Sequence, residues 1–387
     1  MTTARTLFLS HGVSFRVPPR HVYIHVPFCA RRCSYCDFAI AVRRHVPADE
    51  FVAALGRELE VRALGAPPVP VDTIYFGGGT PSRLGTDAVR RAIDVVSSRF
   101  EPESGAEITI EANPDDVDEQ AVREWRRSGV NRVSLGVQSF DDRALDWMHR
   151  THDSARIHAA ATALEEGEIE NWSLDLIFAL PPELNRDWER DLDCAIALEP
   201  PHLSLYGLTV EPHTPIARWR ERGATVEGSE ETYEREYLRA HEVLTAAGYA
   251  HYEVSNFGKA GQFSRHNRGY WSGASYVGLG PAAHGYDGVS RRWNAREYAA
   301  WLRLVESGAD PIGGQESLTP ENRLSEEVYL GLRTTDGLAV NENEYATVQR
   351  WVAAGWASLD SNRVQLTALG WLRLDALAAS LTSIRSR

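Results

Sequence analysis

Cys29, Cys33 and Cys36 stand as C-x3-C-x2-C within YIHVPFCARRCSYCDF, residues 23–38. Three soft thiolates this close together can hold three irons of a [4Fe–4S] cube. No fourth cysteine lies nearby, so one iron is left open. An open iron is what a cluster needs to bind a small molecule and pass it an electron. S-adenosylmethionine (SAM) is such a molecule, and radical chemistry is work that proteins delegate to cofactors. The competing readings fit less well. Structural zinc takes four ligands, usually in two pairs, and here the fourth would have to be His25, His45 or something distant. A disulfide framework belongs to small secreted chains, whereas this chain has 387 residues and four cysteines.

That length suits one large domain and a smaller one, and a hydrophobic fraction of 43% supports a core. The net charge of −13 argues against nonspecific nucleic-acid binding. No run is long and apolar enough to span a bilayer. The N-terminus has an apolar patch at Leu7–Leu9 followed by polar residues, without a signal-peptide core or small-residue cleavage site. A cytoplasmic location is therefore expected, where thiols stay reduced. Cys194, in the helix-like WERDLDCAIALEP, reads as a small core residue.

Short β-rich runs recur through the first 250 residues: VYIHV, TIYFGGG, EITIEANP, RVSLGVQSF, WSLDLIFALP and HLSLYGLTVEP. Helical patterns separate them. Acidic residues open these, as at Asp49–Glu50 and Asp115–Asp116, and Gly129 and Gly248 mark helix stops. Alternating strand and helix predicts an α/β fold with a parallel sheet, here a partial (β/α)6 barrel. In such barrels the chemistry sits at the C-terminal strand ends. The first strand runs into the cysteine loop. The second ends in Gly77-Gly78-Gly79-Thr80-Pro81, the third in Glu111-Ala112-Asn113-Pro114, and the fourth in Gln138-Ser139-Phe140. The fifth carries Asp175 and the sixth Tyr206-Gly207. One polar strand end is usually just an exposed loop; six in succession read as a site. The glycines are expected to let a ligand approach the backbone. Glu111 and backbone carbonyls would accept from the ammonium of a methionyl group. Gln138, Arg150 and Asp175 are placed to read its carboxylate, ribose and adenine, Arg150 by a bidentate contact.

YIHVPFCARRCSYCDF, YFGGGTPS, EANP, GVQSF, DLIFALP and HNRGYW together resemble the radical SAM family of oxygen-independent coproporphyrinogen III dehydrogenases and their relatives. The likeness runs from about Tyr23 to the C-terminus. Within that family the dehydrogenases carry one more cysteine two residues after the third, where this chain has Phe38, and a longer segment precedes their barrel than the 22 residues before Tyr23 here. Both features match the heme-chaperone branch instead. The resemblance implies a cluster on Cys29, Cys33 and Cys36. It implies a SAM site of Tyr23, Tyr35, Gly78, Gly79, Thr80, Glu111, Gln138, Arg150 and Asp175. It also implies heme as a bound partner, with His266 of His266-Asn267-Arg268-Gly269-Tyr270-Trp271 as the expected axial ligand. A heme-acceptor protein and an electron donor for the cluster are the further partners. The alternative is a true dehydrogenase that decarboxylates porphyrinogen propionates.

The expected organisation is an N-terminal extension, 1–20; the barrel, 21–257; a connecting segment with the HNxxYW motif, 258–319; and a mainly helical, winged-helix-like domain, 320–387. The glycine- and aromatic-rich stretch SRHNRGYWSGASYVGLGPAAHGYDG is expected to lie as a loop over the barrel mouth. The mixed charge of the C-terminal segment gives no sign of DNA binding.

Overall fold

The computed structural model describes residues 17–62 and 68–386; the expected N-terminal extension lies mostly outside them. All six expected strands form. They are β1 (His21–Val26), β2 (Val69–Gly78), β3 (Phe100–Ala112), β4 (Arg132–Gln138), β5 (Asn171–Phe178) and β6 (His202–Gly207). Each pairs in parallel with the next, so every C-terminal end points the same way. The residues that alternate with the cavity-lining positions are apolar and fully buried, among them Val22, Ile24, Ile74, Phe76, Ile110, Leu135, Leu174 and Leu203. Parallel strands covered on both faces need such nearly continuous apolar runs.

Helices Ala48–Val61, Thr86–Ser97, Glu119–Arg127, Ser154–Glu166 and Trp188–Ala197 make the crossovers. Asp115 and Asp116 do not open the third of these. They form a separate 3-10 turn, and Asp118 caps the helix by accepting from the Ala121 N–H at 2.8 Å. Gly129 and Gly248 follow helix ends with φ of +97° and +89°, the left-handed backbone that glycine adopts without strain.

Beyond β6 the sheet continues on both sides. Strands β7 (Ala250–Glu253) and β8 (Asn256–Gly258) add antiparallel at the β6 edge. The stretch expected to roof the barrel does something else. Arg265–Trp271 is a helix. Strand β9 (Tyr276–Leu279) then lies parallel to β1 on its open side, followed by the antiparallel strands β10 (His284–Tyr286), β11 (Ser290–Asn294) and β12 (Ile312–Ser317). One twelve-stranded sheet results, in the order β12-β11-β10-β9-β1-β2-β3-β4-β5-β6-β8-β7. The loop reading fails because β9 is four residues bounded by Ser275 and Gly280, and its partner is 255 residues away in sequence, Tyr276 pairing with His21.

Pro320 begins a helix to Arg333. After it come β13 (Leu338–Ala339), helix Tyr345–Ala353, β14 (Ala357–Asp360), β15 (Arg363–Leu366) and helix Leu374–Arg385. The three strands pair in the order β13-β15-β14, a helix-and-wing arrangement around Leu332, Val348, Val364 and Leu381. It is tied to the barrel. The Arg333 guanidinium lies 4.0 Å over the Trp271 ring and pairs with buried Glu253 at 2.8 Å.

Candidate functional site

The cysteine loop leaves β1 and is pinned at both ends. Phe28–Cys29 bridges in parallel to Ala41–Val42, and the Arg43 N–H donates to the Cys29 carbonyl at 2.9 Å. Midway, the Ser34 N–H donates to the Met148 carbonyl, and the Ser34 carbonyl accepts from the Ile216 N–H. A loop fixed at three points holds its side chains in place. Cys29 is buried, and Cys33 and Cys36 are half-buried. All three face one cavity of about 560 Å³ at the C-terminal strand ends. The Thr80 hydroxyl donates to Cys29 Sγ at 3.5 Å, and Arg150 donates to Cys33 Sγ at 3.4 Å. Burial pushes the Cys29 thiol up and the Cys36 thiol up to about 12, so these sulfurs become thiolates only when a cation takes the place of the proton. Among the described residues no three donors converge as ligands of a single ion. Three soft thiols spread along one wall, two of them already receiving hydrogen bonds, suit a cluster.

Opposite the loop sit the expected small-molecule residues. Tyr35, Gly78, Gly79, Thr80, Glu111, Gln138, Arg150 and Asp175 all line the same cavity. Glu111 accepts from Tyr75 Oη at 2.9 Å and from the Gly78 N–H at 3.0 Å. Burial pushes its carboxyl up to about 7, helped by the Asp175 charge and opposed by those two hydrogen bonds. Asp175 is pushed up to about 6 by burial, against hydrogen bonds from Ser204, Ser134 and Ser173. Arg150 donates to the Gly136 carbonyl at 2.7 Å, while its buried Nε has no partner. Gln138 closes β4 at a register shift with φ of +71°; such strain concentrates at ligand sites. Two carboxyls with room to ionise, a fixed guanidinium and three thiols fit a cluster with SAM beside it.

The glycine loop also has a packing role. A Cβ on Gly79 would lie 2.7 Å from the Pro27 carbonyl, and one on Gly78, at φ +114°, would meet the His25 ring at 2.6 Å. The missing side chains make room for the start of the cysteine loop, and the Gly78 N–H is already used by Glu111. These glycines bring β2 against β1, and Gly78 and Gly79 also line the cavity.

Tyr23 lies apart from the larger cavity. It lines a second one of about 350 Å³, with His25, Glu111, Tyr270, Tyr276, His284 and Arg296 among its walls. The two cavities share Asp37, Phe38, Gly78 and Glu111. His266 lines neither. It is 1% exposed, with Nδ1 bonded to Thr73 Oγ1 at 2.6 Å and Nε2 to Tyr270 Oη at 2.9 Å. Its ring stacks on Tyr75 at 4.8 Å. The expectation of an axial ligand is corrected: both nitrogens are spent, and His266 cements the helix Arg265–Trp271 to β2. Sequence reading passed over Ser134, whose hydroxyl holds Asp175 at 2.9 Å, and also His284. Ser134 had a faint signal, since it lies two residues before Gly136 on a strand already read as functional. His284 had none, because its placement depends on the pairing of β9 with β1.

Residues 23–195 match the Radical SAM superfamily model. The heme chaperone HemW of Mycobacterium tuberculosis (strain H37Rv) is 37% identical over 370 residues, covering 94% of this chain and 95% of the relative. The heme chaperone HemW of Synechocystis sp. is 39% identical, covering 85% and 83%. That of Escherichia coli K12 is 38% identical, covering 70% and 71%. Among solved structures, coproporphyrinogen III oxidase (HemN) of Escherichia coli, a radical SAM enzyme, superposes with a TM-score of 0.79 at 22% identity. That match covers 95% of this chain and 91% of the other, and it bears on the fold alone.

Proposed function

This chain belongs to the radical SAM family of HemW heme chaperones, and from that premise we propose that it binds heme and passes it to acceptor proteins. It does so carrying a [4Fe–4S] cluster and SAM. The observation that carries the reading is the meeting of three cysteines, Glu111, Arg150 and Asp175 on one cavity in a chain 37% identical to a heme chaperone along nearly its whole length.

Cys29, Cys33 and Cys36 would hold the cluster, which supplies an electron and an open coordination site when bound. Thr80 and Arg150 donate hydrogen bonds to two of the sulfurs, Cys29 and Cys33, and so fix their positions. Glu111, as carboxylate, accepts from the methionyl ammonium, while Gln138, Arg150 and Asp175 orient the remainder. Tyr35 fills the wall between loop and guanidinium. Strands fix Glu111, Gln138 and Asp175, and a hydrogen bond to the Gly136 carbonyl fixes Arg150, so binding needs little reorganisation.

Heme transfer requires an acceptor protein, and an active cluster requires an electron donor; both dock where the cavities open. Phe38, 60% exposed, and Tyr206, 45% exposed, stand beside that opening. No helix of the described residues is long and apolar enough to cross a membrane. The reconstituted full chain, titrated with hemin and assayed anaerobically with coproporphyrinogen III, SAM and reductant, tests the reading. A saturable Soret band without decarboxylated product is expected. Product at catalytic rates would replace the chaperone with a dehydrogenase.

A further inference from the structure

The second cavity has a composition that the SAM site does not use. Tyr23, Tyr270, Tyr276 and Phe38 give it flat apolar walls, the surface a conjugated macrocycle packs on. It contains two histidines in opposite states. His25 is saturated: Nε2 bonds the Ala39 carbonyl at 2.9 Å and Nδ1 bonds Tyr23 Oη at 3.1 Å. His284 is exposed, and no side-chain hydrogen bond engages its ring among the described residues. That ring is steadied by stacking on Trp293, with centroids 5.7 Å apart and 24° between planes. Burial holds its pKa below the usual histidine value, leaving a neutral imidazole with a free lone pair.

The backbone around His284 is shaped to present it. A Cβ at Gly278 would lie 2.0 Å from the His284 carbonyl oxygen, so only glycine lets β10 cross β9 there. The turn before it holds Ala282 at φ +57°, a conformation that costs on the order of 1 kcal/mol for a residue with a Cβ. Arg296, on the same wall, donates to the Asp37 carbonyl at 2.8 Å. Among the described residues it pairs with no carboxylate, whereas nearby Arg292 pairs with Asp310 at 2.6 Å.

We propose that this second cavity seats the iron porphyrin, with His284 as an iron ligand and Arg296 as the partner of a propionate. The proposal rests on the heme-chaperone reading and deepens it. At about 350 Å³ the cavity is at the small end for an organic ligand. The macrocycle therefore sits partly outside, over Phe38, as suits cargo that must be handed on. Because Glu111, Gly78, Asp37 and Phe38 border both cavities, the porphyrin edge lies against the SAM site, which gives SAM binding a direct route to heme affinity.

The test is a hemin titration of the cluster-reconstituted full chain by absorption spectroscopy, for wild type, His284→Ala, His284→Met, His266→Ala and Arg296→Gln. His284→Ala should weaken hemin binding at least tenfold and move the Soret band. Added imidazole should restore the band, and iron content and SAM affinity should hold. His284→Met should shift the band without abolishing binding. Arg296→Gln should weaken hemin severalfold, leave the band in place and bind hemin dimethyl ester as wild type does. A His284→Ala or His284→Met protein with the wild-type Soret band and affinity overturns the proposal and leaves the chaperone reading standing. A wild-type chain that shows no saturable Soret band overturns both.

Discussion

The rim of the larger cavity and the buried histidines behind it respond to the same physics in opposite ways. On the rim, burial pushes Glu111 and Asp175 up, so each stands near the balance between acid and carboxylate at neutral pH. Behind it, burial pushes His202, His251 and His266 down and keeps them neutral. The difference lies in the partners. The rim groups have lone pairs facing empty space. In contrast, His266 spends both nitrogens on Thr73 and Tyr270, and His251 packs its ring flat on Phe257 with centroids 3.8 Å apart. A polar group inside a protein is a ligand for something else only if the fold has left its valence open. By that criterion His284 belongs with the rim and His266 does not.

The largest expected effect is on the cluster. Cys33→Ser should abolish the intact cube, since a hard oxygen replaces a soft thiolate ligand at the position Arg150 hydrogen-bonds. Cys194→Ser should leave it, because that half-buried thiol sits on the helix Trp188–Ala197 away from the cavity. Iron and acid-labile sulfide, with EPR of the reduced protein, read the outcome. A normal cluster in Cys33→Ser would remove the rim from metal chemistry.

Next comes a direct attack on the comparison. His266→Ala leaves Tyr270 Oη without a partner, leaves Thr73 Oγ1 with His21 Nδ1 alone, and opens a void against Tyr75. A loss of about 2–4 kcal/mol of stability is expected, with the Soret band of bound heme unmoved. Urea unfolding and absorption spectra separate the two. A stable variant with an altered heme spectrum would make His266 a ligand and break the distinction between the regions.

Glu111→Gln sharpens it. Removing the carboxylate should weaken SAM binding by about tenfold to a hundredfold, the range for a hydrogen bond to a charged group. Because the Glu111 carboxyl is raised to about 7, wild-type SAM affinity should also fall as pH drops below 7, and the variant should lose that dependence. Stability runs the other way. A carboxyl raised on folding stabilises the protonated protein, and that contribution is lost as pH rises through 7. Unliganded Glu111→Gln should therefore melt above wild type at pH 8 and level with it at pH 5. Calorimetry and thermal melts check both. Equal SAM affinity in the two proteins would take Glu111 out of the site.

The two regions also differed in how far they could be read from residues alone. Glu111 after ITI and the cysteines after YIHV stand where an apolar strand ends, and Asp175 interrupts the apolar run of β5 after SL, so a local break in pattern marks each. Those signals need no knowledge of distant pairing, and six strands with their chemistry were visible. The region from Gly258 to Ser317 hides its structure for the opposite reason. YVGL becomes a strand only because the open side of β1 accepts it, and His284 reaches the second cavity only because β10 then crosses at Gly278. Composition rich in glycine and tyrosine fits a loop equally well until that long-range pairing is known. The saturation of His266 is likewise invisible in HNRGYW, since Thr73 lies 193 residues away.

The smallest expected effect concerns the join between barrel and C-terminal domain, and its sign follows from the buried-histidine side of the comparison. His251 lies on β7, 7% exposed, with its ring edge against Trp371 of the C-terminal domain at 4.5 Å and Nδ1 3.0 Å from His241 Nδ1. Burial, with the His241 charge adding to it, pushes its pKa down to about 3. In the unfolded chain a histidine titrates near 6.5. Between those values the unfolded state binds a proton that the folded state refuses, so stability is intact above pH 6.5 and is lost as pH falls toward 3. At pH 5 the loss is set by the unfolded value alone and amounts to about 2 kcal/mol. His251→Phe keeps the stack on Phe257 and removes the titration. The variant will be less stable at pH 7.5, because His241 loses its partner, but should lose about 2 kcal/mol less than wild type between pH 7.5 and pH 5. Urea midpoints at the two pH values for both proteins give that difference directly, and titrations common to both cancel. An equal acid loss in the two would mean that His251 gains its proton without unfolding, and that the domain join opens where the static contacts hold it closed.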